Sequence, residues 1–173
     1  MDVPLNDHGR RQAATLAFSL KVENLQAILS SDLSRARETA EILSQGLGGV
    51  PIHIDERLRE AHMGDAQGKT AKEIEAHFGS DLANKWKNAH PTDADLHYPG
   101  GETNAQITLR SMQAIEEFLM SKQLDTIGVS THGGVIRRVM QVILGPNEPI
   151  VPIPNCVLYE LHYDPLTNKW SKV

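Results

Sequence analysis

A histidine followed by two glycines, Thr131-His132-Gly133-Gly134, stands between a short apolar run, Thr126-Ile127-Gly128-Val129-Ser130, and a helical pattern from Val135 to Leu144. Glycines that open a helix expose backbone N–H groups and the positive end of the helix dipole to an anion, and the missing Cβ lets that anion come close. Phosphate suits such a turn. Arg35 follows a second apolar run, Ala27-Ile28-Leu29, beyond Ser30-Ser31-Asp32. Its planar fork can hold two phosphate oxygens, which a lysine engages only as a point charge. Glu60, at the end of Asp55-Glu56-Arg57-Leu58-Arg59-Glu60, is a candidate general acid, a role that needs a carboxyl kept protonated by burial or by a negative substrate. Each feature also has a plainer reading. Gly-Gly after a strand serves many turns for backbone reasons alone. Arg35 and Arg37 read as solvated helix charges, and Glu60 as a member of a surface ion-pair cluster.

These groups need elements to position them. Ala13, Leu16, Ala17 and Leu20 recur at helical spacing, with Asn6 or Asp7 as N-cap. Ala27 to Leu29 predicts a strand, and Ala36, Thr39, Ala40, Ile42 and Leu43 a second helix. Ile52-His53-Ile54 alternates like a short strand. Thr70 with Glu73, and Thr103 with Gln106, form capping boxes, so helices begin at both places, the first fading near Gly79. Between them, residues 80–101 hold Pro91, Pro99, Gly100 and several Asp and Asn, which predicts a loop with at most a helical turn around Trp86. Gly145-Pro146 stops the last helix, and Val157 to Tyr163 reads as a closing strand paired with Trp170 to Val173. Strands alternating with helices predict an α/β sheet covered on both faces, with ligands bound beyond the carboxyl ends of the strands. Arg35 and His132 both fall at such ends.

Composition narrows the class. The 173 residues fit a single domain, 1–173, with 40% hydrophobic and 23% charged residues. A net charge of -5 argues against a nucleic-acid binder. No apolar run reaches the roughly 18 residues that would span a bilayer, and the Met1-Asp2-Val3-Pro4 start has no leader features. One cysteine, Cys156, excludes an internal disulfide and is expected to pack in the core, consistent with a cytoplasmic setting. None of the eight histidines sits at zinc spacing, and His53, His77, His90, His97 and His162 are expected in surface or structural roles. Neither a metal nor a cofactor is expected.

Taken together, six segments in order resemble the histidine phosphatase superfamily, which includes the phosphoglycerate mutases. Gly9-Arg10-Arg11-Gln12-Ala13 is similar to its first-helix signature. Ser30-Ser31-Asp32-Leu33-Ser34-Arg35-Ala36-Arg37-Glu38-Thr39-Ala40 resembles its Ser-x-Leu-x-Arg-Ala-x-x-Thr-Ala segment. Arg57-Leu58-Arg59-Glu60 with Gly64 and Gly68 looks like the acid-bearing segment, and Pro99-Gly100-Gly101-Glu102-Thr103 like the turn before the long helix. Ser130-Thr131-His132-Gly133-Gly134-Val135-Ile136-Arg137 resembles the second-histidine motif, and Asn155-Cys156-Val157-Leu158 the final strand.

The resemblance implies a three-layer α/β/α sandwich of phosphoglycerate mutase type and a reaction on a small phosphorylated substrate through a phosphohistidine. It implies that Arg35 and Gly133 bind the phosphoryl group, that His132 stabilises its transferring oxygens, and that Glu60 protonates the leaving oxygen. It also implies a nucleophilic histidine in an Arg-His-Gly motif on a strand before the first helix. Here that helix begins almost at Met1, so the first strand is expected to be missing through truncation and the chain to be inactive. His8-Gly9-Arg10 is not taken as the nucleophile, because Gly9-Arg10 belongs to the helix signature and no apolar strand precedes it. The expected activity of the complete protein is phosphomonoester hydrolysis, with mutase-type transfer and non-catalytic phosphate binding as alternatives. The single moderate excursion between Glu60 and His132 favours the phosphatase, since mutases of the family tend to carry longer insertions. The sequence indicates neither the substrate nor the oligomeric state.

Overall fold

The computed structural model describes residues 2–173. Helix α1 (Asp7–Ser19) starts at Asn6, whose Oδ1 accepts the Gly9 N–H at 2.8 Å. Strand β1 (Ala27–Ser30) follows, then α2 (Ser34–Gly46) and β2 (Ile52–Ile54). Helices α3 (Ala71–Phe78), α4 (Ser80–Asn88) and α5 (Asn104–Lys122) lead to β3 (Ile127–Ser130) and α6 (Gly133–Leu144). The hairpin β4 (Leu161–Asp164) and β5 (Lys169–Lys172) closes the chain.

β1 is the middle strand of a parallel sheet ordered β2-β1-β3, with Ile28 opposite both Ile52 and Gly128. All four residues of β1 are buried, which is what a central parallel strand covered on both faces requires. Alternation divides its side chains between two layers. Ile28 packs with Ala17, Leu20, Ala40 and Leu43 of the α1–α2 side. Leu29, facing the other way, packs with Leu58, Ala114 and Ile115 under α5. Burying each of the leucine and isoleucine side chains among them contributes about 1.5–3 kcal/mol. The result is the α/β/α sandwich, with α6 carried by a third cluster in which Val135 and Val139 meet Ile107, Trp86 and Tyr98.

Both capping boxes form, at Thr70 with Glu73 and at Thr103 with Gln106. Helix α3 ends at Gly79, whose φ of 87° is open to glycine but strained for other residues. The expectation of a loop from 80 onward is corrected, because Ser80–Asn88 is helical. The surface pair Asp81–Lys85, at 2.9 Å, is solvated and adds little to so short a helix. Trp86, 8% exposed, supplies the anchor, since its ring lies 5.2 Å from Tyr98 and under the Arg138 guanidinium at 4.1 Å. Tertiary burial therefore overrides a loop-like composition.

The closing strand is also shorter than expected. Residues 157–160 carry no ladder, and pairing begins at Leu161, with Tyr163 opposite Trp170. A turn at Asn155-Cys156, where Cys156 takes a φ of 53°, delays it. Cys156 is half-buried rather than in the core, and burial raises its thiol pKa. No helix among the described residues is long and apolar enough to cross a membrane.

Candidate active site at the strand ends

The carboxyl ends of β1 and β3 meet directly, with the Ser31 N–H donating to Ser130 O at 2.9 Å and Ser130 Oγ to Ala36 O at 2.8 Å. His132, next along from β3, is 4% exposed and is the N-cap residue of α6. Its side chain does not cap that helix. Instead Nε2 lies 2.9 Å from Ser31 Oγ, across the sheet. Burial, with the positive charges of Arg35 and Arg110, lowers the His132 pKa to about 4, so the imidazole is neutral near pH 7.

The two arginines of α2 part company. Arg37 is exposed and pairs with Glu41 at 3.2 Å, the solvated helix charge its local pattern suggests. Arg35 is half-buried, forms no ion pair among the described residues, and stands close enough to bear on His132. The turn before it is closed from outside by Asp2, whose carboxylate accepts the Ser34 N–H at 2.8 Å and the Ser34 hydroxyl. These two bonds hold the Asp2 pKa below the usual carboxylate range, chiefly through the hydroxyl.

The charged cluster around Glu60 sorts itself similarly. Arg57 pairs with Asp55 and Glu117, each at 2.7 Å, and Arg59 with Asp32. Glu60 takes part in none of these pairs. Its Oε1 accepts the Ala61 N–H at 2.9 Å and its Oε2 the Gly134 N–H at 3.2 Å. The contact needs a glycine, since a Cβ at residue 134 would lie 2.3 Å from Glu60 Oε1 and push that side chain aside. Of the two glycine N–H groups expected to meet an anion, the second is therefore engaged by Glu60, while Gly133 remains exposed. His132, Gly133, Glu60 and Arg35 are thus gathered at one end of the sheet.

Sequence reasoning missed the residues that hold this arrangement. Thr131 Oγ1 donates to Leu58 O at 2.8 Å, tying the histidine turn to the Glu60 segment. Arg110, on α5, donates to both oxygens of Glu102, at 2.7 and 3.0 Å, and to the carbonyls of Arg57 and Arg59. Glu102 also accepts the His62 N–H at 2.8 Å. Burial pushes the Glu102 carboxyl up, but Arg110 and the His62 N–H hold it below its ordinary value. Gly64, at φ 51°, lies against Pro99 and Gly101 so closely that a Cβ would fall 2.1 Å from Pro99 O. Ser31 and Glu102 lay within the matched motifs, but nothing in their spacing marked these partners.

Residues 1–173 match the family model described as the histidine phosphatase superfamily, branch 1. The chain belongs to that superfamily. It is 37% identical over 142 residues to phosphoglycerate mutase-like protein 4 of Arabidopsis thaliana, covering 82% of this chain and 60% of that protein. Glucosyl-3-phosphoglycerate phosphatase of Mycolicibacterium vanbaalenii is 36% identical over 154 residues, covering 84% of this chain and 65% of that protein. The chain thus spans less than two thirds of the length of these relatives. The native structure of a mycobacterial glucosyl-3-phosphoglycerate phosphatase superposes with a TM-score of 0.82 and 30% identity, over 100% of this chain and 88% of that one. Relatives named as phosphatases and as phosphoglycerate mutases are both found.

Proposed function

We propose that this chain is the phosphate-binding body of a histidine phosphatase-type phosphomonoester hydrolase acting on a small phosphorylated substrate. The observation that carries the reading is the meeting of His132, Arg35 and Glu60 at the carboxyl ends of β1 and β3, with His132 buried and held by Ser31. Arg35 clamps two oxygens of the phosphoryl group, and the exposed Gly133 at the start of α6 adds the helix terminus. His132 donates to an equatorial oxygen as charge shifts in the transition state. Glu60 gives its proton to the leaving oxygen as the ester P–O bond breaks and the nucleophile's nitrogen bonds to phosphorus. Water then attacks that phosphohistidine, its proton returning to Glu60.

The nucleophilic histidine is, in this reading, carried on a further strand beside β3. Support comes from the sheet, because among the described residues β3 is bonded to β1 on one edge only, and β4 pairs only with β5. A free parallel edge with half-buried residues 127 and 128 is an unstable place for a sheet to end. Residues 1–173 alone are then catalytically inactive. Hydrolysis is preferred to mutase transfer because a single short excursion, residues 80–101, lies between Glu60 and the long helix that leads to His132.

Titration with orthovanadate tests the pocket, followed by the backbone resonances of Gly133 and the ring resonances of His132. Saturable shifts that disappear in Arg35→Ala support it, and shifts of equal size in that variant overturn it. Incubation of the chain with p-nitrophenyl phosphate is expected to leave no acid-labile phosphohistidine. Labelling at His8 would refute the placement of the nucleophile.

A further inference from the structure

Arg138 has no part in the chemistry proposed above, yet it is among the most deeply placed charges in the molecule, 3% exposed on α6. Its Nε donates to Asn104 Oδ1 at 2.8 Å and its Nη1 to Gly134 O at 2.9 Å, while Nη2 has no partner among the described residues. The guanidinium plane lies over the Trp86 ring at 4.1 Å. A solitary buried guanidinium is costly, and replacing it with a hydrocarbon side chain would relieve that cost. Burial lowers its pKa to about 10, while the negative charge of Glu60 supports it. The charged groups bearing on it are Glu60, Glu102, Arg110 and Arg137.

The contacts of Arg138 run in one direction. Asn104, 5% exposed, reaches on through Nδ2 to Asp93 O at 2.9 Å, which ties the start of α5 to the 80–101 excursion. Trp86 belongs to that same excursion and packs on Tyr98 near its end. On the other side, Gly134 carries Arg138 on its carbonyl and Glu60 on its N–H. A planar, forked cation suits this position, because it stacks on an indole and donates to two fixed oxygens at once, which an ammonium cannot do.

We propose that Arg138 is a positioning residue that locks the first turn of α6, and with it the Glu60 carboxylate, to the 80–101 excursion through Trp86 and Asn104. The inference rests on the proposed role of Glu60 as the acid. It extends that role, because the excursion beside the site and the group that protonates the leaving oxygen then move as one unit. A substrate that displaces the excursion also displaces the acid.

Ligand-free nitrogen NMR of the full chain tests the linkage, with the Trp86 indole and Gly134 amide as reporters and the Trp170 indole as an internal control. Glu60→Gln is expected to displace both reporters when Arg138 is present. In an Arg138→Lys background it is expected to displace Gly134 alone. The Trp170 indole stays in place throughout. A Trp86 indole unmoved by Glu60→Gln, or moved equally in both backgrounds, overturns the proposal. Should Arg138→Lys fail to fold, Trp86→Leu is read at Gly134. A displaced amide supports the linkage, and an unmoved one sinks it. No phosphate enters these measurements, so a failure of orthovanadate to bind would count against the proposed function and leave the linkage standing.

Discussion

His132 Nε2 and Ser31 Oγ, 101 residues apart in the chain, meet at 2.9 Å where two parallel strands end. The contact fixes an imidazole that burial keeps neutral, and it does so from the segment that also delivers Arg35. Ser31 itself is fully buried. Removing its hydroxyl leaves a buried ring nitrogen without that partner, so Ser31→Ala is expected to cost about 1–2 kcal/mol. Urea denaturation measures it, and an unchanged midpoint would show that the contact contributes nothing.

The state of His132 also sets a pH dependence. Its folded pKa, about 4, lies below the ordinary value of 6.5, so between those values the unfolded chain binds a proton that the folded protein refuses. Stability from this residue is therefore complete above pH 6.5 and is lost as pH falls toward 4. From pH 7.5 to 5 the loss amounts to about 2 kcal/mol. His132→Gln is expected to flatten the stability profile over that interval, as measured by denaturant titration at each pH. Parallel profiles for the two proteins would contradict it.

Two glycines should answer differently to the same added methyl group. At Gly64, φ is 51° and the Cβ would strike backbone atoms at 2.1 and 2.4 Å, which cannot swing away. Gly64→Ala is expected to destabilise the fold by about 3 kcal/mol or more. At Gly134 the obstacle is the end of the Glu60 side chain, and alanine favours the helix by about 1 kcal/mol. Gly134→Ala should therefore leave thermal stability within about 1 kcal/mol of the parent while breaking the Glu60 contact. A large drop in melting temperature for Gly134→Ala would show that the contact also supports the fold.

Arg110 joins Glu102 to the backbone that carries Glu60, through a fork no lysine can reproduce. Arg110→Ala leaves Glu102 half-buried without its cation and is expected to cost about 3 kcal/mol. Arg110→Lys should recover less than half of that. Amide hydrogen exchange should quicken across residues 57–62 in both variants. Unchanged exchange there would mean that Thr131, the Arg57 and Arg59 ion pairs and the Glu60–Gly134 contact hold the segment without Arg110.

The order of strands and helices was legible in the sequence, because apolar periodicity and capping residues act locally. Thr70 with Glu73, Thr103 with Gln106 and Asn6 all cap where their patterns predict. Family membership was legible for a related reason, since the motifs around Arg35, Glu60 and His132 keep their chemistry in short runs. The helix Ser80–Asn88 was not, because its stability comes from Trp86 reaching Tyr98 and Arg138 across the fold. The same holds for the site. Its residue types could be chosen from the sequence, but only the tertiary structure decided that Glu60 turns inward to Gly134 while Arg57 and Arg59 turn out. Likewise, His132 meets Ser31 and Arg138 lies behind the acid. Such contacts depend on direction and burial, which spacing along a chain does not encode.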